Sequence, residues 1–362
     1  MPSTLTSRLT ESLPLPAAVV ATQMVSVREA VEFTRPCQLR HLWHSLWSLT
    51  PRASFRQTPE YLEAAQSSRD DRWRFLIVSA WQRPIGIVPL RERTVRRAFR
   101  SLRVLSMADC PGPVGPHPAI TLAAAVRYLE EQDDSWDMLE FPEVVATGDE
   151  PTCLPRALNS HRITFQSSPG ELLGLELPAT FGQFWADRDA AARQRWRDLE
   201  ARRSRYRDEQ FIRFRPGGAF HGDTDREWEF LDQLKVIVRA QDGTPHAARS
   251  RELFDRLRDM HAQAVDAASA DVVLWLQGSK PAAFAYNFHC QSRVETALLL
   301  ADPTIPHATD RLIGMMLQDE IARGDSWHLF LPSSVLGTTV NRRLWRPTEL
   351  HEMTVTHGRK RT

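Results

Sequence analysis

His289 and Asp302 are the pair whose side chains and positions first suggest chemistry. Each ends one of two successive predicted strands, so convergence on one side of a sheet would give an imidazole base and a carboxylate to orient it. The plain alternative is a strand-end surface histidine and an Asp-Pro turn. Tyr286 and Asn287 alternate along the first of those strands, so only one of them faces a cleft while the other fills the opposite face. Upstream, residues 188–207 carry eight arginines against Asp189, Asp198 and Glu200. That strip, with Arg195 and Arg202 in it, is either an anion-binding face or a solvated helix whose aliphatic stems pack beside Trp185 and Trp196. His41 and His44 have helical spacing without a third ligand nearby, so no metal site is expected.

The elements that must position these residues repeat one plan. Arg28 to about Trp47 reads as helix broken at Pro36, and Thr58-Pro59-Glu60 opens a second short helix with proline in its first turn. Trp73 to Ala80 and Pro84 to Leu90 form a predicted hairpin, followed by a basic stretch, Arg91 to Arg103, and the stiff loop Pro111 to Pro118. A helix from about Ala119 to Glu131 and a strand from Trp136 to Phe141 complete this half. The second half gives a helix near Ser250 to Ala264, strands Val272 to Leu276, Pro281 to His289 and Val294 to Leu300, then a helix from an N-cap at Thr309 to a stop at Gly324. Trp327 to Leu331 closes it. In each half a proline, Pro84 or Pro281, starts the second hairpin strand, and a tryptophan, Trp136 or Trp327, follows about 50 residues later, which implies a degenerate tandem duplication. Between the halves Phe181 to Arg207 reads as one long helix with Trp185, Ala192, Trp196, Leu199 and Tyr206 on nearly one face, a core or inter-domain stripe. The expected division is a tail over 1–23, domains over 24–165 and 166–350, and a tail over 351–362.

Composition narrows the classes. The chain has 362 residues, 46 Lys+Arg against 45 Asp+Glu and 42% hydrophobic residues, enough to fold as about two domains and too balanced for a polyanion binder as a whole. A local basic patch is compatible with that sum. Cys37, Cys110, Cys153 and Cys290 are far apart, so neither a zinc module nor a disulfide framework is indicated, and a reducing compartment fits. The first residues lack a signal-peptide pattern and no stretch is apolar enough to span a bilayer, so the expected location is the cytoplasm.

An Arg-rich helix over Ala191 to Glu200, a short strand Leu274 to Gln277, the strand opening Pro281-Ala282-Ala283-Phe284, the loop Ala301-Asp302-Pro303, a helix, the closing segment Leu329-Phe330-Leu331-Pro332-Ser333-Ser334 and the ending Arg342-Arg343-Leu344-Trp345 occur in that order. In this pattern the chain, from about Val25 to Trp345, resembles the CelD/BcsL-like acetyltransferases, which are similar to a tandem of GCN5-related N-acetyltransferase (GNAT) domains and related to FemAB-type peptidyl transferases. The resemblance implies an α/β (α+β) fold of two GNAT-like domains, each a mixed sheet flanked by helices, the first a non-catalytic partner that builds one wall of the cleft. It implies N- or O-acyl transfer from acetyl-CoA or another acyl-CoA to a small-molecule or saccharide acceptor, or an envelope precursor. Leu300, Ala308, Thr309 and Arg311 would then lie on the acyl-CoA, and Arg195, Arg202, Tyr286 and Asn287 on the acceptor. None of Tyr61, Tyr128, Tyr206 and Tyr286 follows the closing strand, so Ser333 or Ser334 would substitute through water for the family's loop tyrosine as proton donor. The chain departs from the pattern in having no glycine in Thr304 to Asp310, leucine at 329 and 331 near the family's aspartate, and Asn341 in place of lysine. Two alternatives follow: a FemAB-like aminoacyl transferase whose arginines grip tRNA, and a GNAT pair that binds a ligand without turnover.

Overall fold

The computed structural model describes residues 25–30, 38–65, 72–97, 100–107, 110–132, 136–140, 166–203, 208–216, 227–331 and 340–354. Two mixed sheets form, each flanked by helices. The first has the order β1 (Val25–Ala30), β2 (Arg72–Ala80), β3 (Arg83–Arg97), β4 (Arg100–Ser106), β5 (Met138–Glu140). Its first four strands are antiparallel, and β5 joins β4 in parallel after the helix α3 (Pro118–Gln132). Ahead of β2 lie α1 (Gln38–Ser48), a 3₁₀ turn (Phe55–Gln57) and α2 (Pro59–Ala65).

The second sheet repeats the core of that plan. Strands β7 (Glu209–Phe214), β8 (Ala270–Gln277), β9 (Lys280–Cys290) and β10 (Arg293–Ala301) are antiparallel neighbours, and β11 (Trp327–Phe330) joins β10 in parallel after a helix. Two more strands, β6 (Gln166–Glu176) and β12 (Thr348–Thr354), extend the sheet beyond β11, giving the order β12-β6-β11-β10-β9-β8-β7. The helices between are α4 (Phe181–Ala186), α5 (Ala190–Arg203), α6 (Glu227–Ala240), α7 (Ala247–Asp259), α8 (His261–Asp266), α9 (Ala308–Arg323) and α10 (Arg342–Trp345). The β2-β3-β4-α3-β5 series thus matches β8-β9-β10-α9-β11. Pro84 and Pro281 are each the second residue of the second hairpin strand, and Trp327 opens β11 while Trp136 precedes β5 by two residues.

Several expectations are corrected. Arg28 belongs to a strand, so the first helix is confined to Gln38–Ser48. The basic stretch Arg91 to Arg103 falls on β3 and β4, which pair residue for residue from Arg91↔Ser106 to Arg97↔Arg100. The long helix is two: Thr180 caps α4, and the Asp189 carboxylate accepts the Ala192 N–H at 2.7 Å, starting α5 afresh. Ser250 to Ala264 likewise divides at Met260. α9 starts one turn position early, at Ala308 after His307 in a left-handed conformation, and ends as expected on Gly324 at φ 84°. β12 runs past residue 350 to Thr354.

The second sheet buries both faces. Val273, Trp275, Ala283, Ala285 and Phe330 face α9, whose Leu312, Ile313, Met316 and Leu317 are buried on them. The opposite face, with Val272, Leu274, Phe284, Tyr286, Phe288 and Leu298, is continuous with the core of the first sheet. Continuous apolar strands are what a sheet covered on both sides requires.

Candidate functional site

Among the described residues β10 outruns β11, and the point where their pairing ends is the fork. They pair only over Arg293–Thr296 with Trp327–Phe330, and the Leu331 N–H adds one bond to the Thr296 carbonyl at 3.2 Å. Among the described residues, β10 then continues to Ala301 on β9 alone. The β9–β10 register slips between Thr296 and Leu298, which takes Ala297 out of the ladder as a bulge. Thr296, the bulge and the last β11 pairing therefore fall at one point.

A chain of polar side chains begins there, on the α9 side of the sheet. Thr296 Oγ1 donates to Asn287 Oδ1 at 2.7 Å and lies 3.1 Å from His328 Nε2. His328 Nδ1 is 2.8 Å from Glu320 Oε2, and the other Glu320 oxygen accepts from Arg213 at 3.2 Å. Arg213 forks onto Asp271 at 2.7 and 2.5 Å, and Asp271 also receives Arg215 at 3.2 Å and Asn287 Nδ2 at 3.4 Å. Arg215 continues to Asp325 at 2.8 Å, whose second oxygen lies 3.1 Å from His289 Nε2. Thr296, Asn287, His328, Glu320 and Asp271 are all completely buried.

Strand alternation explains the convergence. Asp271, Asn287 and Thr296 are laterally paired across β8, β9 and β10, so their side chains share one face, and His328 alternates with Leu329 to reach the same side. Glu320 comes from the last turns of α9, and the left-handed Gly324 turns the chain so that Asp325 returns beneath the sheet. Electrostatics fit this wiring. Burial alone would raise the Asp271 carboxyl, but Arg213 and Arg215 hold it well below the usual carboxylate range. Burial opposes ionisation of Asp325 as well, and His289 with Arg215 reverses it.

The residues expected from sequence separate into several places. His289 and Asp302 do not meet. β9 and β10 are antiparallel, so the ends of successive strands lie at opposite ends of the pair, about 25 Å apart over eight residues. His289 joins the polar chain through Asp325, whereas Asp302 accepts the Thr304 N–H and hydroxyl at 2.8 and 2.6 Å, a local turn. Asn287 faces the polar chain, while Tyr286 points to the other face, where its hydroxyl is 2.8 Å from His261 Nδ1. Leu300 and Ala308 are buried and Thr309 is half-buried. Arg311 is spent on Glu200 and Glu209 at 2.6 and 2.8 Å. Arg195, Arg197 and Arg202 are exposed on α5. Ser333 lies outside the described residues. Sequence reasoning missed Thr296, His328, Glu320, Arg213 and Asp271. A signal was available: Arg213 and Asp271 are opposite charges set inside otherwise apolar strands, Phe-Ile-Arg-Phe and Asp-Val-Val-Leu-Trp.

The start of α9 does not fit a coenzyme A diphosphate. Asp310 in its first turn accepts from Trp345 Nε1 at 2.9 Å and Asn341 Nδ2 at 3.3 Å, which fixes a carboxylate where a diphosphate would need attraction. Among the described residues there is no cluster of His, Cys, Asp and Glu suited to a metal ion, and no helix long and apolar enough to cross a membrane.

No family model and no curated protein sequence matches the chain. Among solved structures, a tandem GNAT protein from the clavulanic acid biosynthesis pathway matches 91% of this chain and 98% of its own at TM-score 0.44 and 9% identity. A conserved protein of unknown function from Bacteroides thetaiotaomicron matches 89% of this chain and 98% of its own, at TM-score 0.52 and 15% identity. FemX matches 88% of this chain and 96% of its own, at TM-score 0.59 and 10% identity, so the chain has a fold like that of FemX across both of its sheets.

Proposed function

We propose that the chain transfers an acyl or aminoacyl group from an activated ester to an amine or hydroxyl, the acceptor being the saccharide or envelope precursor that the family resemblance implies. The observation that carries this reading is the β10–β11 fork with its bulge and buried polar chain at the base. An acyl group at the end of the β10–β11 pairing would meet the Ala297 N–H at the bulge, the candidate donor to its carbonyl oxygen. Burial strengthens that interaction by excluding water.

Asp310 and the neutralised Arg311 favour a donor without a diphosphate at the start of α9, which supports aminoacyl-tRNA over acyl-CoA. The exposed Arg195, Arg197 and Arg202 supply a face for RNA phosphates although the whole chain is nearly neutral. The test is transfer and binding with aminoacyl-tRNA and with acetyl-CoA on the full chain. The expected result is salt-sensitive tRNA binding, weakened about tenfold or more by the paired Arg195→Glu and Arg202→Glu changes. Heat and turnover with acetyl-CoA but not with aminoacyl-tRNA would replace the donor, and no binding of either at millimolar or micromolar levels, respectively, would leave a binding protein instead of a transferase.

A further inference from the structure

We propose that His328 is held as the doubly protonated imidazolium and, through the Thr296 hydroxyl, supplies the proton to the leaving oxygen of the donor ester; its use rests on the transferase reading, its proton on hydrogen-bond geometry alone.

The donors and acceptors around His328 favour the imidazolium. Asn287 Nδ2 faces the Asp271 carboxylate and the Met316 sulfur, both acceptors, so Oδ1 is the atom turned to Thr296. The Thr296 hydroxyl proton is therefore committed to Asn287, and the Thr296 oxygen offers only lone pairs to His328 Nε2. Nε2 must carry a proton. On the other side one proton lies between Nδ1 and Glu320, and the second Glu320 oxygen accepts from Arg213, an ion pair that favours the carboxylate and so the proton on Nδ1. With the imidazolium, Arg213, Arg215 and His328 balance Asp271, Glu320 and Asp325, while Asp319 and Arg323 pair with each other at the margin and Asp319 also meets Arg213. His289 lies at the far end, on Asp325, and is the member partly open to solvent. The Phe330 ring lies 4.4 Å from the His328 ring, and Leu175 is paired opposite on β6.

The position gives the proton a use. Expulsion of an alkoxide from an ester needs protonation more than expulsion of a thiolate does. As the acyl carbon–oxygen bond breaks, the Thr296 hydroxyl turns from Asn287 to the leaving oxygen and gives it its proton, Thr296 takes the Nε2 proton, and His328 remains as neutral imidazole with Nδ1–H still on Glu320. The proton shed by the attacking nitrogen or oxygen returns by the reverse relay, so the cycle is proton-neutral. No tyrosine follows the closing strand, and His328 lies on that strand.

Two measurements test this. In ¹⁵N-labelled full chain at neutral pH without any donor, both ring nitrogens of one histidine should give imidazolium signals that vanish in His328→Gln; a bare ring nitrogen on His328 overturns the relay alone. Thr296→Val should slow kcat with aminoacyl-tRNA by about 100-fold with little change in KM, yet slow transfer from the same aminoacyl group presented as a thioester by less than about tenfold, and Thr296→Ser should restore the ester reaction. Equal slowing with both donors would mark Thr296 as structural and overturn the relay. Imidazolium signals with no transfer by the unmodified chain from either donor would overturn the transferase reading and the relay's use together.

Discussion

Asp271, fully buried, accepts from three residues, and it ties Arg213 of β7 and Arg215 just beyond it to Asn287 at the fork. Removing one partner from such a set leaves the others charged and buried, which costs more than the contact itself is worth. Asp271→Asn should therefore lower stability by about 3–5 kcal/mol at neutral pH, measured by denaturant unfolding. The pH dependence has a defined sign. The folded-state carboxyl is held below its unfolded value of about 3.9, so its contribution is present above that value and is lost only as pH falls through the lower, folded one. The gap between Asp271→Asn and the unmodified chain should thus stay constant from about pH 8 to about pH 5 and narrow below about pH 4. A gap that closes on the way to pH 5 would show that the carboxylate is not held by Arg213 and Arg215.

At the scale of elements, α9 is placed by what packs on its outer side as much as by the sheet beneath. Gly314 has no side chain because the Trp196 ring occupies the space: a Cβ there would lie 2.2 Å from it. Trp196 in turn stacks on Trp185 at 5.1 Å and meets Trp345 at 5.7 Å, the same Trp345 that binds Asp310. Gly314→Ala should cost about 1–3 kcal/mol through this clash despite alanine's better helix propensity, and a smaller residue at 196 in the same chain should return part of it. Thermal unfolding of the single and double variants checks this; an unchanged or raised midpoint for Gly314→Ala would mean that α5 does not latch α9. β8 to β10 and α9 were readable because long apolar runs bounded by turn residues have few other solutions, whereas Trp185 and Trp196, read on one helix, meet from two. β6 and β12 were not, since Gln-Ser-Ser-Pro-Gly and Thr-Glu-Leu-His-Glu carry no apolar alternation and gain their place only by pairing with strands distant in sequence, whereas β7 was missed although Phe-Ile-Arg-Phe is apolar around its one charge. The polar chain was hidden for the same reason: Glu320 and His328 look like surface residues until α9 and β11 are brought against β10.

The whole molecule joins its two sheets through a small set of contacts placed behind the fork. Phe55 and Tyr61 of the first half lie 5.0 and 6.0 Å from the Phe288 ring of β9, Ser54 donates to Glu295 at 2.6 Å, Arg293 donates to the Arg52 carbonyl at 2.7 Å, and Arg52 covers Trp327. Phe288 and Glu295 are paired neighbours on β9 and β10, one strand position from Asn287 and Thr296 but on the opposite face. The first half thus acts as a backing plate for the very strands that carry the polar chain. Because these contacts belong to one apolar core that spans both sheets, the two halves should unfold together. Phe288→Ala should remove about 3–5 kcal/mol and, on the proposed transferase reading, slow transfer while leaving the proposed tRNA contact of α5 unaltered, since α5 lies on the other side of the sheet. Calorimetry and transfer rates decide it: two separate transitions in the unmodified chain, or full activity in a destabilised Phe288→Ala, would mean that the first half is only tethered to the second.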